Sequence, residues 1–113
     1  MEILHQSENL TLKELYDLTR SPEAEGMKDH IGETLKIDAY MVREETNDEG
    51  EVITIASVKS GDKIYSTNSA TFVREFSSIL VMAKSVNAKV NHIKVTSGQS
   101  KKGREYITCV YID

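Results

Sequence analysis

The chain has 113 residues, enough for one domain around a single small core, and with no Trp and only two Phe that core must be mostly aliphatic. A single cysteine, Cys109, excludes an internal disulfide and a Cys-cluster zinc site; lying in an apolar run, it reads as a buried structural thiol. No apolar run is long enough to span a bilayer and no signal-peptide pattern opens the chain, so a cytoplasmic protein with no membrane partner is expected.

The net charge of −4 conceals a split. Residues 1–51 carry 14 acidic and 5 basic side chains, whereas residues 52–113 carry 4 acidic and 9 basic. A basic face can bind phosphates even on an acidic protein, but the overall acidity argues against tight non-specific binding to duplex DNA.

Residues 1–30 are expected to form an acidic helical leader, set apart from a body over residues 31–113. Leu10, Leu12, Leu15, Tyr16 and Leu18 recur at helical spacing, and Thr11 with Glu14 has the form of a capping box. Ser21-Pro22-Glu23 resembles a second helix start, ended early by Gly26. The leader's apolar stripe must dock on the body or on another subunit, which leaves room for a homo-oligomer formed through it.

From Ile31 the period changes to two. Leu35, Ile37, Ala39 and Met41 alternate with Lys36, Asp38, Tyr40 and Val42, a first strand with one buried face. Thr46–Gly50 is a turn by composition, and its acidic run Glu44-Glu45 to Glu51 lacks the carboxylate spacing of a calcium loop. Val52–Val58 is a second, central strand; Ser60-Gly61-Asp62 turns, and Lys63–Thr67 is a short third strand. Asn68 or Ser69 caps a helix with Phe72, Val73, Phe76, Ile79, Leu80, Ala83 and Val86 along one stripe, ending near Asn87. Val90, Ile93 and Val95 then lead into a polar turn, Ser97–Arg104, and Tyr106–Ile112 lead out, a closing hairpin of strands four and five.

This order predicts a mainly β, α+β domain: an OB-like, five-stranded, partly open barrel with a helix between strands 3 and 4, preceded by the helical leader. Such barrels bind oligonucleotides on strands 2–3 and the 1–2 and 4–5 loops, although a fold alone assigns no function.

Catalytic chemistry is hard to find. His5, His30 and His92 are scattered without metal-ligand spacing, and no glycine-rich phosphate loop joins a strand to a helix. Neither an enzyme, a metal nor a cofactor is expected. Binding chemistry is better represented. Alternation puts Lys36, Asp38 and Tyr40 outward on the first strand, Lys63 and Tyr65 on the third, and His92 and Lys94 on the fourth. Lys101, Lys102 and Arg104 crowd the 4–5 turn, whose two glycines, Gly98 and Gly103, read as turn residues. Strand five is apolar on both faces, so the orientations of Tyr106 and Tyr111 are open at this point. Cations for phosphates and rings for bases make a sequence-tolerant grip on a single strand; the plainer alternative for the hairpin is a turn whose lysines keep it solvated.

Gly61-Asp62-Lys63-Ile64-Tyr65-Ser66, the amphipathic helix, Ile93-Lys94-Val95, Gly98–Gly103 and the apolar closing strand together resemble the small single-stranded-DNA-binding proteins of protein-primed Bacillus phages. The resemblance covers about residues 61–112, and its ordered set of blocks is more specific than any one block. It implies a non-catalytic OB-like protein that coats displaced single strands in phage replication, within the host cytoplasm. It also implies Tyr65 as a stacking residue and Lys101, Lys102 and Arg104 as phosphate contacts, and places Tyr106 where the family has an aromatic. The acidic leader and the acidic 1–2 loop depart from that pattern. They motivate a second reading, an interaction or inhibitor module of a mobile element that presents its acidic half to a basic surface. A purely structural subunit, assembled through the leader stripe, is the third.

Overall fold

The computed structural model describes all 113 residues as two sheets and two helices. In chain order the elements are β1 (Glu2–Gln6), α1 (Leu12–Arg20), β2 (Glu25–Gly26) and a 3-10 turn at Met27–His30. There follow β3 (Thr34–Lys36), β4 (Ala39–Thr46), β5 (Val52–Ser60), β6 (Lys63–Thr67), α2 (Ala70–Ser85), β7 (His92–Gln99) and β8 (Glu105–Ile112). The mainly β, α+β class is as expected. One sheet has the order β1-β4-β5-β6-β2, the other β3-β7-β8.

The first predicted strand is real but divided between the sheets. Ile37 N–H donates to Asn91 O at 2.7 Å, beside β7, while Asp38 N–H donates to Lys59 O at 2.9 Å, on β5. The Asp38 carboxylate then accepts from Gly61 N–H at 2.6 Å, holding the β5–β6 turn in place.

The sheets do not close into a barrel. No pairing joins β6 to β8; instead β6 takes β2 along its far edge in parallel, Glu25 opposite Tyr65 and Gly26 opposite Ser66. α2 packs against β8, and its N-cap Ser69 reaches Ile107 O at 2.9 Å across the gap.

The expectation of a helical leader is corrected. Glu2–Gln6 forms an edge strand on β4, and the second helix start becomes a turn, with Glu23 N–H on Ser21 Oγ and Ala24 N–H on Ser21 O. Only the middle segment is helical. Its capping box is present, Thr11 Oγ1 accepting from Glu14 N–H while the Glu14 carboxylate accepts from Thr11 N–H, both at 3.1 Å. Leu15 and Leu18 dock on Ala39 and Met41 of the body, which leaves Leu12 and Tyr16 on the surface.

Arg43 of β4 fastens α1 down. Buried to 6 % exposure, it donates to Leu18 O at 3.1 Å, Thr19 O at 3.4 Å, Ser57 Oγ at 3.0 Å and Glu45 Oε1 at 3.0 Å. The main core lies on the other face of this sheet. There Val42, Ala56, Val58 and Tyr65 meet Leu35, Ile93, Val95 and Cys109 of the small sheet and Phe72, Phe76, Ile79 and Leu80 of α2. Cys109 is buried as expected, and burial pushes its thiol up to about 12, so it stays protonated. Val86, expected on the helix stripe, caps the C-terminus instead and is exposed.

Phe76 sits at the centre of this core, its ring 5.8 Å from Tyr40 edge-on and 5.7 Å from Phe72. Phe76→Ala is expected to cost about 3–5 kcal/mol in urea unfolding, a large share of the 5–15 kcal/mol typical of a domain. Val81→Ala, on the exposed side of the same helix, should change stability by less than about 1 kcal/mol.

Candidate nucleic-acid interface

The three-stranded sheet has one face in the core and one outside. Because Ile93, Val95 and Cys109 point inward, the alternate residues His92, Lys94, Thr96 and Gly98 of β7 point outward. Pairing extends this face on both sides. β3 places Lys36 opposite His92 and Thr34 opposite Lys94, and β8 places Val110, Thr108 and Tyr106 opposite Lys94, Thr96 and Gly98. The result is a strip about 26 Å long, eight residues at roughly 3.3 Å each. Lys36, His92 and Lys94 occupy one end, Tyr106 lies further along, and the hairpin tip is at the other.

The tip is shorter than the sequence predicts. β7 runs through Gly98 to Gln99, and the turn is Ser100–Arg104. Ser100 N–H donates to Arg104 O at 2.8 Å, Gly103 N–H to Ser100 O at 2.9 Å, and Arg104 N–H to Ser100 Oγ at 3.2 Å. Gly103, at φ +78°, takes the left-handed position such a turn requires; Gly98 is ordinary extended strand. Lys101, Lys102 and Arg104 are exposed, and no ion pair in the structure involves them or Lys94. Lys36 is held only loosely, 3.7 Å from Asp38 with its side chain largely in solvent.

Lys36, Lys94, Tyr106 and the three tip cations are therefore brought together, whereas the remaining candidates are not. Lys63 lies on the other sheet, 3.7 Å from Glu25. Tyr40, expected outward, is half-buried against Phe76, and burial pushes its phenol up. Tyr65, also expected outward, is only 6 % exposed, packed into the main core with its ring 4.7 Å from His30. Its neighbour Ile64 is equally buried, because both faces of this sheet are covered, so alternation along β6 marks no solvent side.

The outer face of the first predicted strands is covered by α1. Lys59 Nζ meets Asp17 Oδ2 at 3.2 Å, and this hydrogen bond holds the Asp17 carboxyl below its usual range. A cleft opens where β6 ends, between Ile53, Ile55, Asn68, Ser69 and Ile107, and Lys28 is the single charged group in its wall.

Sequence reading also missed the environment of His30. Its Nδ1 lies 2.6 Å from Glu33 and its Nε2 3.0 Å from Glu25, so the protonated ring can donate to a carboxylate at each nitrogen. The hydrogen bond to Glu33, and then that to Glu25, raises its pKa above the ordinary value, against an opposing effect of burial. The stabilisation this brings is complete below the unfolded histidine value near 6.5 and disappears as pH rises through the higher folded value. The margin of wild-type melting temperature over His30→Gln should thus be widest just below about pH 6.5 and narrow as pH is raised; a margin that does not vary with pH would contradict this.

Compared with known proteins, the chain matches no protein family, no curated protein and no solved structure.

Proposed function

We propose that this is a non-catalytic, sequence-tolerant single-stranded-DNA-binding protein that acts in phage or mobile-element replication in a host cytoplasm. The observation that carries the reading is the outer face of β3-β7-β8, where Lys36, His92, Lys94 and Tyr106 share one strip leading to the unpaired cations Lys101, Lys102 and Arg104. The cations supply phosphate contacts and the exposed tyrosine a stacking surface, neither of which depends on sequence. An OB-like order of elements fits the bent strand shared by two sheets, the meander β4-β5-β6, the intervening helix and the closing hairpin. The likeness to the single-stranded-DNA-binding proteins of Bacillus phages supports the same reading over residues 61–112. In this proposal the strand follows the small sheet and the hairpin tip, since α1 occupies the outer face of β4 and β5.

Fluorescent oligo-dT titrated with the protein at two salt concentrations tests this. Binding should weaken with salt and exceed that of a duplex of equal length. Replacing Lys101, Lys102 and Arg104 together by Gln should reduce the slope of log affinity against log salt by about 2, at roughly 0.7 per phosphate contact on a single strand. Charge reversal at Asp48 and Glu49 in the exposed acidic turn should leave DNA binding intact. Folded protein that binds no oligonucleotide at low salt would refute the reading and favour a protein partner for the acidic half.

A further inference from the structure

Gly98 lies inside a strand, where a glycine weakens pairing and leaves no side chain to pack. Its backbone is not in the left-handed region, so conformation does not require it. What does require it is Tyr106, directly opposite on β8. A Cβ at position 98 would stand 2.5 Å from Tyr106 Oη, 2.6 Å from Cζ and 2.8 Å from Cε1, all closer than real contacts allow. Three consecutive ring-end atoms at nearly equal distance mean that the phenol lies across the glycine, one face toward the backbone. Tyr106 is nevertheless 36 % exposed as a residue. An aromatic ring laid over a strand glycine loses rotamer freedom on one side and presents a surface on the other.

We infer that Gly98 and Tyr106 form a pre-oriented stacking platform for an unpaired nucleobase, with Gly98 as the positioning residue and the ring of Tyr106 as the contact. The inference rests on the proposed single-strand function and specifies the moiety recognised at this point of the strip: the base, not the phosphate. Thr96 and Thr108 are the next outward-facing pair along the sheet, so no charged side chain stands beside the ring on that side to compete for the base. Lys94, opposite Val110, is the next cation beyond them, and Arg104 stands two residues before Tyr106 toward the tip. The order along the strip is therefore cation, ring, cation, which matches phosphates on either side of a stacked base.

The test compares oligo-dT with an abasic oligonucleotide of equal length, which keeps the phosphates and lacks the bases. Tyr106→Ile, which retains an apolar strand residue over Gly98, should lose about 5- to 140-fold in affinity for oligo-dT, equivalent to 1–3 kcal/mol for one stacked base, and bind the abasic strand as wild type does. Tyr106→Phe should keep both affinities. Gly98→Ala should displace the ring and weaken oligo-dT binding selectively; should that variant fail to fold, the two Tyr106 variants decide the matter. Equal losses on both oligonucleotides, or no loss on either, would overturn the platform and leave the strip a phosphate-binding surface. Wild-type protein that binds neither oligonucleotide would overturn the single-strand reading and this inference with it.

Discussion

The architecture turns on one peptide, between Ile37 and Asp38. Adjacent amides there serve different sheets, one bonded toward β7 and the next toward β5. The change of sheet also reverses which alternate residues face the main core. Before it, the odd positions Leu35 and Ile37 pack inward; after it, the even positions Tyr40 and Val42 do, and Ala39, Met41 and Arg43 turn toward α1. A uniform alternation through residues 35–42 therefore assigns Lys36 correctly and Tyr40 wrongly. Strand period is legible in a sequence, but a corner that shifts its phase is not, because the shift depends on what the two flanking segments find to pair with.

Where local chemistry dictates structure, sequence and fold agree. Ser69 caps α2, Phe72, Phe76, Ile79 and Leu80 are buried along it, and the Thr11–Glu14 capping box forms. Those features depend on neighbours within one or two turns. The disagreements arise where a distant edge competes. Glu2–Gln6 has no marked alternation and becomes a strand because the edge of β4 is available to it. Pro22 and the acids after it favour a helix start, but Glu25 and Gly26 are drawn into register with β6. Gly98 was indistinguishable from a turn glycine without knowing that a ring lay above it.

The folded chain sharpens the division of charge seen along its length. Several acidic-half carboxylates are engaged internally: Asp17 by Lys13 and Lys59, Glu45 by Arg43, and Glu25 and Glu33 by His30. The cations of the closing hairpin have no such partners. Positive charge is thus left free where the β sheet is exposed, and the exposed carboxylates Asp48, Glu49 and Glu51 gather at the β4–β5 turn, closed by Asn47 Oδ1 accepting from Glu49 and Glu51 N–H. In the proposed function, contact with a single strand on the small sheet would break no internal ion pair of Lys94, Lys101, Lys102 or Arg104.

Arg43 has a consequence for how the molecule opens. Its guanidinium is shared by the end of α1, by Ser57 of β5 and by Glu45 of its own strand, and an arginine cannot shed its charge when those partners leave. Detaching α1 alone would remove two of its acceptors, Leu18 O and Thr19 O, and at the same time uncover the apolar contact of Leu15 and Leu18 with Ala39 and Met41. Local opening of the N-terminal helix is thus opposed by polar and apolar contacts together, although its residues differ in charge and pattern from the body. Lysine at this position could not replace arginine, since a single ammonium cannot span acceptors on three elements in one plane.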